Sequence, residues 1–293
     1  MQILGAVHFE KCLPENFNGI SATTSRMALR DALINNREPA KFCRIYLNEL
    51  ERLIERLEQS TNIHLKEQPI FEWFINEEPH FSPCWQFEHT MVLRCLTQHL
   101  LAEGRHLLVE SDFKGARKLF EDAAGVCKKA REGPVRKWSF KDMPHLLCSY
   151  SDYWVSEEKR CECYARLSSF QFAIASGHAE TAKSNNVLNI VCKKMIAASE
   201  QSFVQGTDVM NMYDLSILLK AYIYAQDLWD KGNYPDAIAV ADYENVPKPS
   251  IPEAHVALKW MSEREELFQT WRQECANVHF VTKSRELPEI PLT

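Results

Sequence analysis

Cysteine and histidine are the residue types here that could act as nucleophiles, bases or metal ligands. The chain carries 10 of each. Cys161 and Cys163 form a C-x-C pair, but two helical steps turn about 200°, so their sulfurs diverge. His145 and Cys148 have a usable three-residue spacing with no second pair beside them, and structural zinc needs about four ligands. His89 and His99 share one helical stretch, with Glu88 adjacent, yet no third group converges on either. A hydrolase built on a Cys/His pair is therefore the enzyme reading that the residues leave open. The expectation is a chain with no catalytic residues, no metal and no cofactor.

The phosphate-binding motifs are absent too. Dinucleotide and mononucleotide folds need glycine-rich turns where the backbone meets phosphate. This chain of 293 residues has only 9 Gly, with no G-x-G-x-x-G and no G-x-x-x-x-G-K-[ST]. Its 34 Lys and Arg against 40 Asp and Glu give a net charge of −6. That balance speaks against a general nucleic-acid binder. One local run stands out: Lys128, Lys129, Arg131, Arg136 and Lys137, with Lys141 beyond. It reads either as a solvated helix end or as a patch for an anionic membrane or acidic partner.

With 45% hydrophobic and 25% charged residues, the composition is that of a folded globular chain. No run of about 18 apolar residues suggests a membrane span. The opening Met1–His8 has neither a basic region nor a long apolar core, so a secretory signal is not expected. The last residues hold no prenylation cysteine. The cysteines are scattered in apolar, helical settings, as for buried free thiols in the cytoplasm.

Almost all the periodicity is helical. Pro39 opens a helix whose apolar stripe runs Phe42, Tyr46, Leu50, Leu53, Ile54 and Leu57. Thr24 or Ser25 would cap a shorter one before it. After a proline-rich connector with Phe71, Trp73, Phe74, Phe81 and Trp85, helices are expected near 85–108, 110–131, 143–157, 160–176, 180–203, 212–231, 234–242 and 251–276. Gly104 inside the first of these implies close packing. No sustained two-residue alternation points to a large sheet. Short extended pieces are expected near 3–9 and 278–282.

Two segments are alike. Asp112-Phe113-Lys114-Gly115-Ala116 and Gly232-Asn233-Tyr234-Pro235-Asp236-Ala237 both place an aromatic three residues before an Ala, as at a tetratricopeptide helix crossing. They follow no fixed period, so an irregular helical solenoid is expected rather than a regular array.

Several landmarks together resemble the Bro domain family. Trp85-Gln86-Phe87-Glu88-His89 follows the aromatic linker Phe71-Glu72-Trp73-Phe74, and Ala116 to Val126 ends in Ala123-Ala124-Gly125-Val126. Gly232 to Ala239 and the tail from Glu274 to Pro288 then follow in the family's order. The resemblance implies one all-α domain over 1–293, a curved, boomerang-like helical solenoid with a tetratricopeptide-like core. An N-terminal arm would span about 1–84, the core 85–245 and a C-terminal helix and tail 250–293, with at most a short β-hairpin from the terminal segments.

It also implies a non-catalytic adaptor, cytoplasmic and peripheral to endosomal or other membranes. Its partner would be the C-terminal amphipathic helix of an ESCRT-III subunit of the charged multivesicular body protein class. The family's three apolar contact positions match Trp154 or Val155, Cys163 and Leu167. These would form an exposed groove, with Trp154 brought beside the other two by a connector at Glu157-Glu158-Lys159-Arg160. The alternative reading is a tetratricopeptide-like peptide-binding or assembly scaffold unrelated to ESCRT.

Overall fold

The computed structural model describes residues 3–5, 7–14, 17, 19–60, 65–138, 146–177, 182–200, 207–243 and 249–276. Helices dominate them: α1 (Phe9–Cys12), α2 (Gly19–Asn35), α3 (Pro39–Gln59), α4 (Trp85–Val109), α5 (Phe113–Glu132), α6 (Pro134–Lys137), α7 (Ser151–Ala175), α8 (Ala182–Glu200), α9 (Thr207–Asp230), α10 (Tyr234–Tyr243) and α11 (His255–Ala276). Among the described residues the fold is all-α apart from one small antiparallel sheet. Its strands are β1 (Ile3–Leu4), β2 (Phe71–Ile75) and β3 (Glu78–Ser82), in that order.

That sheet differs from the expected terminal hairpin. Ile3 and Leu4 do pair, but with Phe74 and Trp73 of the aromatic connector, which is itself the hairpin. Phe71 and Trp73 are fully buried with Glu72 half-buried between them, an alternation of only three residues before Phe74 and Ile75 break it. Asn76 and Glu77 close the turn with φ of 51° and 72°. Positive φ at both central residues is what a two-residue hairpin turn needs to match strand twist. Residues 278–282, Lys141 and His145 lie outside the described residues.

Two compact units are distinguished, the first of Met1–Ala102 with Asp122–Glu158, the second of Glu103–Glu121 with Lys159–Thr293. Their divisions fall inside α4, α5 and α7.

A buried charge pair organises the first unit. Arg26 of α2 is 1% exposed and Glu88 of α4 is 0% exposed. Arg26 Nε donates to Glu88 Oε1 at 2.7 Å and Nη2 to Oε2 at 3.3 Å. Tyr46 of α3 donates its hydroxyl to Oε1 at 2.7 Å, and Trp73 of β2 donates Nε1 to Oε2 at 2.6 Å. Arg26 Nη1 also donates to the Gly5 carbonyl beside β1. Burial alone would pull Arg26 down, but the facing carboxylate holds its pKa above the ordinary value. Burial pushes Tyr46 up, and the same carboxylate pushes further. Around this hub Trp85 stacks on Phe9 at 5.6 Å and meets Phe71 edge-on at 5.2 Å.

Local chemistry also moves the start of α2. Thr24 is exposed and caps nothing, because the helix begins five residues earlier at Gly19. Thr23, inside it, instead accepts from the Phe9 N–H at 3.0 Å and donates to Glu10 at 2.5 Å, tying α1 to α2.

In the second unit α9 packs against α8, α10 and α11. The two look-alike segments fold alike. Asp112 N–H donates to Leu107 C=O at 2.9 Å, and Asn233 N–H to Leu228 C=O at 2.9 Å. Ser111 (φ 66°) and Gly232 (φ 76°) occupy the left-handed position in each turn. Asp112 then caps α5 by accepting from the Gly115 N–H at 3.0 Å. Ala116 and Ala237, at the matching crossing positions, are fully buried. On α4, Gly104 faces Phe120 of α5, where an added Cβ would lie 2.7 Å from the ring.

Two stability measurements check this packing. Removing one side of the buried pair strands the other charge, so Glu88→Gln and Arg26→Met should each cost about 3–5 kcal/mol in denaturant unfolding. The Arg26→Met/Glu88→Gln double variant should lose at least about 1 kcal/mol less than the sum of the singles. Gly104→Ala should lower the melting temperature. Overpacking of about 1–3 kcal/mol exceeds the roughly 1 kcal/mol of helix propensity that alanine adds.

Candidate partner-binding surface

The charge run Glu157-Glu158-Lys159-Arg160 does not break the chain. It lies in the middle of α7, a single helix of 25 residues. All four residues are good helix formers and Lys159 pairs with Glu162 at 3.0 Å, so the segment favours continuing the helix over turning. The helix stops only near Gly177, which has a φ of 69°.

One helix in place of two rearranges the expected groove. Trp154 and Cys163 are nine residues apart, which is about 180° around one axis. Trp154 therefore points away from Cys163, and Leu167 lies one turn beyond Cys163 on the latter's side. None of the three is exposed: Trp154 and Leu167 are at 0% and Cys163 at 2%. Trp154 Nε1 donates to the Cys148 carbonyl at 2.7 Å, and its ring meets Tyr153 edge-on. Cys163 Sγ lies 3.1 Å from Ser199 Oγ and 3.4 Å from the Met195 carbonyl on α8. Burial pushes its thiol up to about 11. These side chains are core, and the expectation that they form an exposed groove is corrected on that ground. Val155 alone of the four positions is half-exposed.

The apolar surface that remains near the start of α7 was not singled out from sequence. Leu147, in the 3-10 turn Leu147–Ser149, is 76% exposed, and Tyr150 is 41% exposed. An isolated Leu in a loop carries no periodic signal, so only the structure separates it from the buried Leu146 beside it.

The basic run is exposed or half-exposed at all five positions, but much of its charge is matched. Lys129 reaches Glu51 at 2.7 Å, Lys137 reaches Glu58 at 2.9 Å, and Arg131 lies 3.3 Å from Glu158. His89 is 2.8 Å from the same Glu51. Burial would raise the Glu51 pKa, but hydrogen bonds from His89 and Lys129 hold it below the ordinary value. Among the described residues no carboxylate pairs with Lys128 or Arg136. Helix α3 therefore supplies acidic partners that the linear run conceals.

Among the described residues no group of three or more His, Cys, Asp or Glu is placed to hold a metal ion, and no described helix is long and apolar enough to cross a membrane. The nine cysteines whose side chains are described are all free, and eight of them are buried.

A single substitution tests the placement of α7. Leu167→Asp puts an unpaired carboxylate at a fully buried position, and should cost about 4 kcal/mol or more or prevent folding. Thermal melting beside Val155→Asp, which should stay within about 1 kcal/mol of wild type, checks it.

No family model matches the sequence, and no curated protein matches it. Among solved structures, one concerned with the structural basis for endosomal targeting by the Bro1 domain is similar along nearly its whole length. The TM-score is 0.66, with 11% sequence identity over 98% of this chain and 87% of that one. This superposition shows that the chain has a Bro-domain-like fold.

Proposed function

We propose that this chain is a non-catalytic Bro-like scaffold. It binds the C-terminal amphipathic helix of an ESCRT-III subunit of the charged multivesicular body class, and acts from the cytoplasm at endosomal or other membranes. The observation that carries this reading is the similarity to a Bro1 domain over 98% of the chain. A helix binds such a surface by laying a few apolar anchors on it, with the affinity concentrated in those anchors. With Trp154, Cys163 and Leu167 occupied by the core, the anchors fall to Leu147, Tyr150 and Val155. Lys128 and Arg136 supply the cations left over for an anionic bilayer, a contribution of about 1 kcal/mol each near a charged surface.

The second reading is a tetratricopeptide-like receptor for a different peptide. The equivalent turns at Leu107–Ala116 and Leu228–Ala237 favour it.

Titration with ESCRT-III C-terminal helices separates the two. Binding is expected, and Leu147→Asp with Val155→Asp should weaken it at least tenfold, about 1.4 kcal/mol, with melting unchanged. Failure of every such helix to bind at hundreds of micromolar would leave the second reading. Binding that ignores both substitutions would place the contact on another face.

A further inference from the structure

Helices α3 and α4 run antiparallel through the first unit, joined by the pairs Cys43–Cys95 and Glu51–His89. The first pair has no part in the charge hub or the partner surface. Cys43 and Cys95 are 52 residues apart in sequence, both fully buried, with their sulfurs 3.5 Å apart. We propose that Cys43 and Cys95 are a redox-active dithiol that a hydroperoxide closes to a disulfide joining α3 to α4.

The geometry supplies what the reaction needs. A disulfide forms only between thiols whose Cβ atoms already approach, and sulfurs in hydrogen-bond contact need move together by only about 1.5 Å. The site is also polarised. Cys43 donates its S–H to the Cys95 sulfur, and His99, one turn along α4 and half-exposed, hydrogen-bonds the same sulfur. Arg94 adds positive charge beside it. These donors hold Cys95 well below the ordinary thiol range while Cys43 is pushed above it. Cys148 and Cys192 also lie near positive charge, from Arg94 and Lys220, but there burial wins and both are pushed up. Cys95 is thus the attacking thiolate and Cys43 the resolving thiol.

The electrons balance in two steps. The Cys95 thiolate attacks one peroxide oxygen, the O–O bond breaks, and hydroxide leaves, giving a sulfenic acid. The Cys43 sulfur then attacks the Cys95 sulfur, the S–O bond breaks, and the second oxygen leaves as hydroxide. The two thiol protons convert the hydroxides to water. Two thiols and one hydrogen peroxide become one disulfide and two waters, with the sulfurs oxidised and the peroxide oxygens reduced. A water-sized oxidant reaches the pair from the His99 side during local opening of α4.

The test uses the full chain, reduced and then exposed to a few equivalents of hydrogen peroxide. Remaining thiols are trapped with iodoacetamide, and the digest is mapped by mass spectrometry without reductant. The expected result is a Cys43–Cys95 linked peptide, two hydrogens lighter than its parts, in at least about half of the chains. It should revert with dithiothreitol, and oxidation should raise the melting temperature by about 5 °C. Cys43→Ala should leave Cys95 to accumulate as sulfenic or sulfinic acid. If the alanine variant does not fold, the linkage map of the wild-type chain decides alone. The proposal is overturned if both thiols remain alkylatable, if Cys95 over-oxidises in wild type without linking, or if other cysteine pairings are as abundant.

Discussion

One carboxylate, Glu88, holds together parts of the first unit that share little sequence. An isolated charge in a core is prohibitively costly, and a paired one is tolerable only when its remaining lone pairs are used. Glu88 meets that condition by accepting from Arg26, Tyr46 and Trp73, which come from α2, α3 and β2. Arg26 in turn reaches back to Gly5. Each donor is satisfied only if its own element sits in one register against α4. The network therefore specifies the arrangement more than it stabilises it, because a well-packed apolar core could supply similar stability.

Much of the fold was readable from residues. Outside α7, where two expected helices are one, the main helix boundaries from α3 onward follow the three- and four-residue apolar steps to within about five residues. The two aromatic-to-Ala turns were legible because their chemistry is local: one left-handed residue, one cap, one small residue at the crossing. Gly104 announced close packing, and Phe120 is what it packs against. The landmark Trp85-Gln86-Phe87-Glu88-His89 also pointed to the right fold, though nothing in sequence showed that Glu88 is the buried member or that Arg26 faces it. That pairing spans 62 residues, and periodicity does not report long-range partners.

The misses have physical causes. Glu157-Glu158-Lys159-Arg160 looked like a connector because it is polar, yet polar helix formers inside a long helix continue it. That one error moved Trp154 to the far side of α7 from Cys163 and Leu167, and with it the candidate groove. The hairpin at 71–82 is hidden by its brevity, since Phe71-Glu72-Trp73 alternates over only three residues, below what periodicity resolves. The linear basic run carries no sign that Glu51, Glu58 and Glu158 neutralise three of its members. On the proposed reading, the interior is spent on its own packing and a partner would be met by a few exposed side chains.

Hydrogen exchange on wild type and Glu88→Gln measures most directly whether one buried carboxylate sets the register of this unit. The account predicts that amides of α2, α3 and β2 lose protection together and by similar factors, because each element donates to the same group. Loss confined to the turn of α4 around residue 88, with α2 and β2 protected as before, would contradict it.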